Sequence, residues 1–287
     1  MSPPVSPVVA GWELALRLRQ RREQLGVEVR TITQRLGFSR NYWSAVENER
    51  KILSEEALTK VLDLFEFGED EQLELLQLRA AAKERGWWTR YSGVIETEIQ
   101  RMFGLEYGAH SVHGWESLLV PGLLQTPDYA RALMTPDVNI RQVEVEQFVE
   151  VRMRRQERLG GDHPLALTAL ISEAVLHQEV GGRTVLREQL EHLRDTTTGN
   201  SSVELRVIPF STRSCGLFGA STVHLIGFDN SRLPTVIWQE TVTAGAFIDD
   251  PTKVRDIRGT YREAAAANAL SVHDSLALIE QRIEELI

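Results

Sequence analysis

The 287-residue sequence contains one cysteine, Cys215, and no apolar run near the roughly 20 residues that a membrane-spanning helix needs. One thiol cannot form a disulfide within the chain or supply the several thiolates of a structural zinc site. The first residues, MSPPVSPVVAGW, lack the basic segment and apolar core of a secretory signal. We therefore expect a cytoplasmic protein without a membrane partner, since a reducing setting fits the scarcity of cysteine.

Acidic residues outnumber basic ones, 41 to 32, and the net charge of −9 argues against binding of nucleic acid by the chain as a whole. The charge is unevenly distributed. Residues 12–41 contain seven arginines and three glutamates, an excess of four positive charges, so the rest of the chain carries −13. Local charge is therefore a better guide to function than the total.

The length and the change of pattern along the chain predict two domains. Prolines and serines predict a disordered arm over residues 1–11, followed by a helical domain over 12–85 and a second domain over 86–287. In the helical domain, apolar spacing predicts five helices: one stopped by Gly26, one stopped by Gly37, one capped by Ser39, one capped by Ser54, and one ending near Gly86. Trp43 and Val46 are expected to point inward, as are Leu58, Val61, Leu62 and Phe65.

The second domain is predicted to be α+β, with a mixed β-sheet flanked by helices. Residues 94–160 read as mainly helical, interrupted by LLVPGLLQTP at 119–128, where Thr126 and Pro127 open a helix. Strands are predicted at 164–172, 203–210, 221–228 and 234–240, with a short candidate at 245–250. One helix separates the first two strands, and two helices close the chain at about 251–268 and 271–287.

The segment RLGFSRNYWSAVENER, residues 35–50, has the layout of a helix-turn-helix, in which the first turns of the second helix face DNA bases. Arg40 can pair with guanine and Asn41 with adenine, and Ser44 and Ala45 follow one turn later. The residues expected to contact phosphates, which position the protein without reading sequence, are Ser39, Arg30, Arg50 and Lys51. The alternative is a small helical bundle with a polar surface turn.

Residues 13–66 resemble the XRE/Cro-type helix-turn-helix domain and are similar to the phage repressors. The matching residues are Leu14, Leu18, Gly26, Ile32, Leu36, Gly37, Ser39, Val46 and Glu47. The resemblance implies that Arg40 and Asn41 read bases and that Arg22 and Glu47 form a structural pair. Two departures are expected to weaken binding: Glu28-Val29 stands where the family usually has Thr-Gln, and Glu49 stands where it has glycine.

Several segments of the second domain resemble the uncharacterised C-terminal domain of a large set of actinobacterial regulators with XRE-type heads. They are WESLLVPGLLQTPDYARALM, RRQERLGG, GGRTVLREQLEHL, VELRVIPF and VIWQETVTAGAFIDDPTKV. The resemblance implies a transcriptional regulator without enzymatic activity, acting on double-stranded operator DNA. It also implies a small neighbour-encoded partner protein, as in pairs that resemble toxin–antitoxin systems. We expect a homodimer, because one recognition helix reads only a few base pairs.

A few other side chains of the second domain are of types that can carry chemistry. Glu173 and His177 share a helical spacing but are too few for a metal site, and no metal or cofactor is expected. A lone cysteine such as Cys215 is usually a packing residue.

The run of Arg152, Arg154, Arg155 and Arg158 is predicted to be a solvated helix face, with docking of DNA or of an acidic partner as the alternative. The leucine-rich segment at 119–128 is either a connection inserted into the core or the wall of a ligand or partner groove. The groove hypothesis names Trp115, Leu119, Pro121, Leu123, Leu124 and Tyr129.

Overall fold

The structure, a computed structural model, describes residues 3–240 and 245–287. It divides into two compact units, Pro4–Arg90 and a larger one that contains Tyr91–Ile287. The division therefore falls between residues 90 and 91, where the sequence had suggested 85 and 86. No helix in the described part of the chain is long and apolar enough to cross a membrane.

The N-terminal unit is built from five α-helices, as predicted. They are α1 (Pro7–Gln24), α2 (Val29–Leu36), α3 (Arg40–Glu47), α4 (Glu55–Leu64) and α5 (Glu69–Ala82), followed by a 3-10 helix at Trp87–Tyr91. The side chains predicted to point inward are buried, and Trp43, Leu58 and Phe65 are fully enclosed. Gly26 and Gly37 end the first two helices with φ angles of 63° and 72°, a left-handed conformation that glycine adopts without strain.

The prediction of a disordered arm over residues 1–11 is wrong for its second half, because α1 begins at Pro7. Ser6 caps the helix by accepting a hydrogen bond from the amide of Val9, and proline is well suited to the first helical position. Ala10 and Gly11 are buried. Ser6 and Pro7, which had suggested disorder, thus mark the start of α1.

The C-terminal unit has seven α-helices and six strands in its described residues. In chain order they are α6 (Thr97–Gly108), β1 (Ser111–Glu116), α7 (Pro127–Met134), α8 (Val145–Gln156), β2 (Ala166–Ser172), α9 (Ala174–His177), α10 (Arg183–Gly199), β3 (Val203–Ile208), β4 (Thr222–Gly227), β5 (Val236–Glu240), β6 (Gly245–Ile248), α11 (Pro251–Glu263) and α12 (Val272–Glu285). A π-helical turn at Ala264–Asn268 follows α11. The predicted α+β architecture is confirmed.

The six strands form one mixed sheet in the order β3-β2-β1-β4-β5-β6. Strands β1, β2 and β3 are parallel, and β4, β5 and β6 add antiparallel pairings. Strand β1 lies in the middle of the sheet, although its region was predicted to be helical. Its sequence, SVHGWE, contains Gly114 and lacks the β-branched run or strict alternation that marks a strand.

The two faces of the sheet differ in character near β1. Trp115 belongs to an apolar cluster with Val254 and Tyr261 of α11. Successive side chains alternate between faces, so Gly114 and Glu116 lie on the opposite face. A Cβ atom on Gly114 would lie 3.3 Å from His224, which places that histidine on the same face as Glu116.

Candidate nucleic-acid interface

The helix-turn-helix consists of α2, a turn through Gly37, and α3. Ser39 caps α3, accepting a hydrogen bond from the amide of Tyr42 at 3.1 Å. Trp43, which is fully buried, fixes the inner side of α3. Its ring stacks on Phe38 at 6.4 Å and meets Phe65 edge-on at 5.9 Å. The helix is therefore anchored by an aromatic contact to α4 and by its own cap.

The outer side of α3 presents the residues predicted to read bases. Arg40, Asn41 and Ser44 are exposed, and Ala45 is partly buried. The first two lie in the first turn of the helix, where a recognition helix approaches base edges. The outer side of α3 is therefore polar and open to a ligand.

The residues predicted to contact phosphates are also exposed. They are Ser39, Arg30, Arg50 and Lys51. The ammonium group of Lys51 lies 5.4 Å from the centre of the Tyr42 ring, a cation–π contact that restrains an otherwise flexible side chain. These side chains lie before, at the start of and just after α3 in the sequence.

Asn48 was not singled out by the sequence, yet it holds part of this surface. Its amide nitrogen donates to the backbone oxygen of Ser44 at 2.7 Å and to the Ser44 hydroxyl oxygen at 3.3 Å. The Ser44 hydroxyl is therefore in contact with the side chain one turn further along the chain. The spacing of four residues between a serine and an exposed asparagine was the available signal.

Most arginines of α1 serve the fold of the unit rather than its outer surface. Arg17 is buried and forms an ion pair with Glu74 at 2.9 Å. Arg19 donates to the backbone oxygen of Glu47 at 2.8 Å, and Arg21 donates to the backbone oxygen of Phe65 at 2.9 Å. The local excess of positive charge thus overstates the charge that this unit can present to DNA.

Arg22 and Glu47 form the pair that the resemblance implied. The Nε atom of Arg22 donates to a carboxylate oxygen of Glu47 at 2.5 Å, and both side chains are mostly buried, at 16% and 12% exposure. The contact ties α1 to the end of α3. Through it, α1 helps to fix the position of α3.

Arg22→Ala is expected to lower the free energy of unfolding of the N-terminal unit by about 2 kcal/mol, since it strands a partly buried carboxylate. Urea unfolding, monitored by hydrogen exchange at the amides of α1 and α3, measures this loss of stability. Arg35→Ala, at an exposed arginine of α2, is the control and should leave stability unchanged. Equal stability of the Arg22 variant and the wild type would contradict a structural role for the pair.

The two departures from the family pattern lie beside this surface. Glu28 is exposed and precedes α2, and its side chain makes no capping hydrogen bond. Glu49 follows α3 with a φ angle of 62°, in the left-handed region that favours glycine. Both place negative charge close to the residues expected to meet phosphates.

Glu49→Gly is expected to tighten DNA binding by about two- to tenfold at low salt, because it removes a carboxylate beside Arg50. Stability should stay equal or rise by up to about 1 kcal/mol, since glycine relieves the left-handed strain but gains freedom when unfolded. Glu66→Gly is a matched control, because Glu66 has a φ angle of 54° at the end of α4. An equal gain in DNA affinity from Glu66→Gly would contradict the electrostatic explanation.

The groove hypothesis for residues 115–129 requires correction. Five of its six side chains are buried, namely Trp115, Pro121, Leu123, Leu124 and Tyr129, and Leu119 is partly buried. The segment is a connection inserted into the core. Its apolar side chains are therefore not available as the wall of an open groove.

Glutamine side chains from α8 and α10 form hydrogen bonds with the backbone of this buried segment. The Gln189 amide donates to the oxygen of Leu124 at 2.8 Å and accepts from the nitrogen of Thr126 at 2.7 Å. The Gln156 amide donates to the oxygens of Gly122 and Gln125 at 3.2 and 2.7 Å. A loop can be buried only when its polar groups find such partners, so these glutamines make the inserted connection stable.

The prediction that the arginine run at 152–158 forms a solvated helix face is also wrong. Arg155 forms two parallel hydrogen bonds with Glu106 at 2.9 and 2.8 Å, and both residues are buried. Arg158, also buried, donates to the backbone oxygens of Tyr107, His163 and Ala109. The run joins α8 and the residues that follow it to α6 and to the segments that precede β1 and β2.

The remaining candidates are Glu173, His177 and Cys215. Glu173 accepts from the amide of Phe210 at 2.6 Å and lies 3.6 Å from His177. No group of three or more histidine, cysteine or acidic side chains in residues 3–240 and 245–287 is arranged to hold a metal ion. The Cys215 sulfur is partly buried and accepts a weak hydrogen bond from the amide of Leu217 at 3.5 Å.

Comparison with known families assigns the two units. Residues 13–76 match a helix-turn-helix domain, which makes the chain a helix-turn-helix protein. Residues 99–281, more than half of the chain, match a domain of unknown function, DUF5753. The chain therefore belongs to the DUF5753 family. No curated protein and no solved structure matches it.

Proposed function

We propose that the protein is a sequence-specific, non-enzymatic transcriptional regulator of the XRE/Cro type. The observation that carries the proposal is the exposure of Arg40 and Asn41 on the first turn of a helix that Ser39 caps and Trp43 anchors. Because the backbone of this turn is already ordered, binding to base edges costs only the conformational entropy of the two side chains.

The proposed docking follows from the outer side of α3. Arg40 forms a bidentate pair with guanine and Asn41 with adenine, while Ser44 and Ala45 contact the next base pair. Ser39, Arg30, Arg50 and Lys51 contact phosphates. Because a single helix reads few base pairs, two copies of the chain bind a two-fold symmetric operator, with half-sites about one helical turn apart.

The resemblance to actinobacterial regulators supports three further proposals. The C-terminal unit supports dimerisation, and it binds either a ligand or a small neighbour-encoded protein, the latter in the manner of toxin–antitoxin pairs. The protein acts in the cytoplasm on the nucleoid. Co-purification of the tagged chain from its native host tests the protein partner. An antitoxin-like interaction module with secondary DNA binding is the alternative, and it predicts a stoichiometric small protein together with weak, unselective DNA binding.

Arg50→Ala is expected to weaken binding to all sequences by the same factor and to reduce the slope of log affinity against log salt by about 1, as for a phosphate contact. Titration of labelled duplexes at several salt concentrations measures both quantities. A loss that depends on the sequence of the duplex would contradict the assignment to phosphate.

Selection of random-sequence duplexes by the full chain tests the proposed function. The expected result is enrichment of one short motif that contains a guanine and an adenine in each half-site. A selected pool without any motif would contradict it.

A further inference from the structure

Tyr42 lies among the residues of α3 that are proposed to meet DNA, yet the proposed docking gives it no role. It is partly buried and precedes Ala45 by three positions, so the two side chains are neighbours on the helix surface. Trp43 and Val46 are buried on the inner side of α3, whereas Asn41 is exposed on the outer side. At 100° per residue, Tyr42 stands on the flank between these two sides. The flank of a helix that lies in the major groove is the part nearest to a DNA backbone.

Two contacts restrain the ring of Tyr42. Its centre lies 5.1 Å from that of the Phe38 ring, and both residues pack against the buried core of the N-terminal unit. The ammonium group of Lys51 lies 5.4 Å from the centre of the same ring. A tyrosine has only two side-chain torsion angles, so a ring packed in this way gives up little conformational entropy when its hydroxyl binds a ligand.

The backbone after α3 brings Lys51 to this ring. The amides of Arg50 and Lys51 both donate to the backbone oxygen of Ala45, at 2.8 and 3.1 Å. The chain therefore folds back against α3 about one turn beyond Tyr42, and the ammonium group reaches the ring from there. Tyr42, Lys51 and the proposed base contact Ala45 thus lie together on one flank of α3.

The hydroxyl of Tyr42 is a free donor on this flank. Across residues 3–240 and 245–287 no protein group forms a hydrogen bond with it, and it is not among the enclosed polar atoms that lack partners. It is therefore open to solvent, and Lys51 is exposed as well. A phenolic O–H and an ammonium group both donate hydrogen bonds, and each phosphate of a DNA backbone offers more than one acceptor oxygen. One phosphate can accordingly accept from both groups.

We propose that Tyr42 and Lys51 together bind one phosphate of each operator half-site, with the hydroxyl donating to one oxygen and the ammonium group to the other. This contact rests on the proposed function, because it requires α3 to lie in the major groove. Phosphate contacts position a DNA-binding helix without reading bases. Tyr42 is thus a positioning contact that sets how closely Ala45 approaches its base pair.

Tyr42→Phe removes the hydroxyl and keeps the ring, so the melting temperature of the full chain should not change. Its affinity for the selected operator and for unrelated duplexes should fall by about tenfold, the loss expected for one hydrogen bond to a charged acceptor. The slope of log affinity against log salt should stay the same, because the hydroxyl is uncharged. Lys51→Gln should also weaken binding but should reduce that slope by about 1. Titration of labelled duplexes at several salt concentrations measures these quantities.

Neutral phosphates identify the contact itself. A series of operator duplexes carries a single methylphosphonate, which lacks the phosphate charge, at each backbone position in turn. At one position in each half-site, Tyr42→Phe and Lys51→Gln should lose little further affinity, because the contact that they weaken is already missing. At every other position the two losses should add. Arg40→Ala, a proposed base contact, is the control and should show additive losses at that position too.

The outcomes separate this contact from the proposed function. A wild type that selects an operator and a Tyr42→Phe variant that binds it equally well would overturn the contact and leave the proposed function standing. Additive losses at every phosphate would have the same meaning. A wild type that selects no operator at all would overturn both.

Discussion

Arg155→Ala is expected to destabilise the C-terminal unit by about 3–5 kcal/mol, the loss that follows removal of one partner of a buried ion pair. The change leaves the carboxylate of Glu106 buried, at 4% exposure of its side chain, without its two hydrogen-bond donors. It also removes the guanidinium that lies 4.8 Å from the centre of the Phe103 ring. Urea unfolding, monitored by hydrogen exchange at the amides of β1 and β2, measures this loss of stability.

Two further variants separate a stranded charge from lost packing. Arg187→Ala, on the exposed side of α10, should leave the unit unchanged. The double variant Glu106→Leu with Arg155→Met should recover much of the stability, since apolar residues of similar volume leave no uncompensated charge. Wild-type stability of Arg155→Ala would contradict the assignment of the arginine run to the interior.

Arg40→Ala and Asn41→Ala are expected to reduce operator affinity by about 1–3 kcal/mol each, and by about 2–6 kcal/mol together. The loss should be confined to duplexes that carry the cognate base, because each side chain reads one base pair. Affinity for operators with single-base changes, titrated at fixed salt, measures it. Each variant should lose its preference at one position in each half-site.

The comparison with Arg50→Ala gives this prediction its control. That variant should lower affinity for cognate and changed operators equally, whereas Arg40→Ala should lower it only for the cognate operator. The N-terminal unit should stay folded in all three, since these side chains are exposed. An unchanged base preference in the Arg40 and Asn41 variants would remove the assignment of α3 as the recognition helix.

The sequence predicted the parts of the fold that short-range patterns encode. Ser39, Ser54 and Thr126 each cap the helix that follows them, as expected. The glycine after α2 adopts the left-handed conformation that ends a helix. These features depend on residues within one helical turn, so they can be read from local spacing.

The errors have the opposite origin, since they concern partners far apart in the sequence. Arg155 and Glu106 are 49 residues apart, so charge alternation along α8 could not reveal that the arginine is buried. Strand β1 was missed because its two neighbours, β2 and β4, stabilise a run with weak strand propensity of its own.

The central claim is that α3 reads a specific DNA sequence, and retention of sheared genomic DNA by the full chain tests it most directly. The wild type is compared with the double variant Arg40→Ala, Asn41→Ala. Sequencing the retained fragments at low and moderate salt shows what each protein selects. The account predicts that the wild type keeps a short, two-fold symmetric site at moderate salt and that the double variant loses it. Diffuse retention by the wild type that disappears with salt would contradict the account and would make the antitoxin-like interaction module the better explanation.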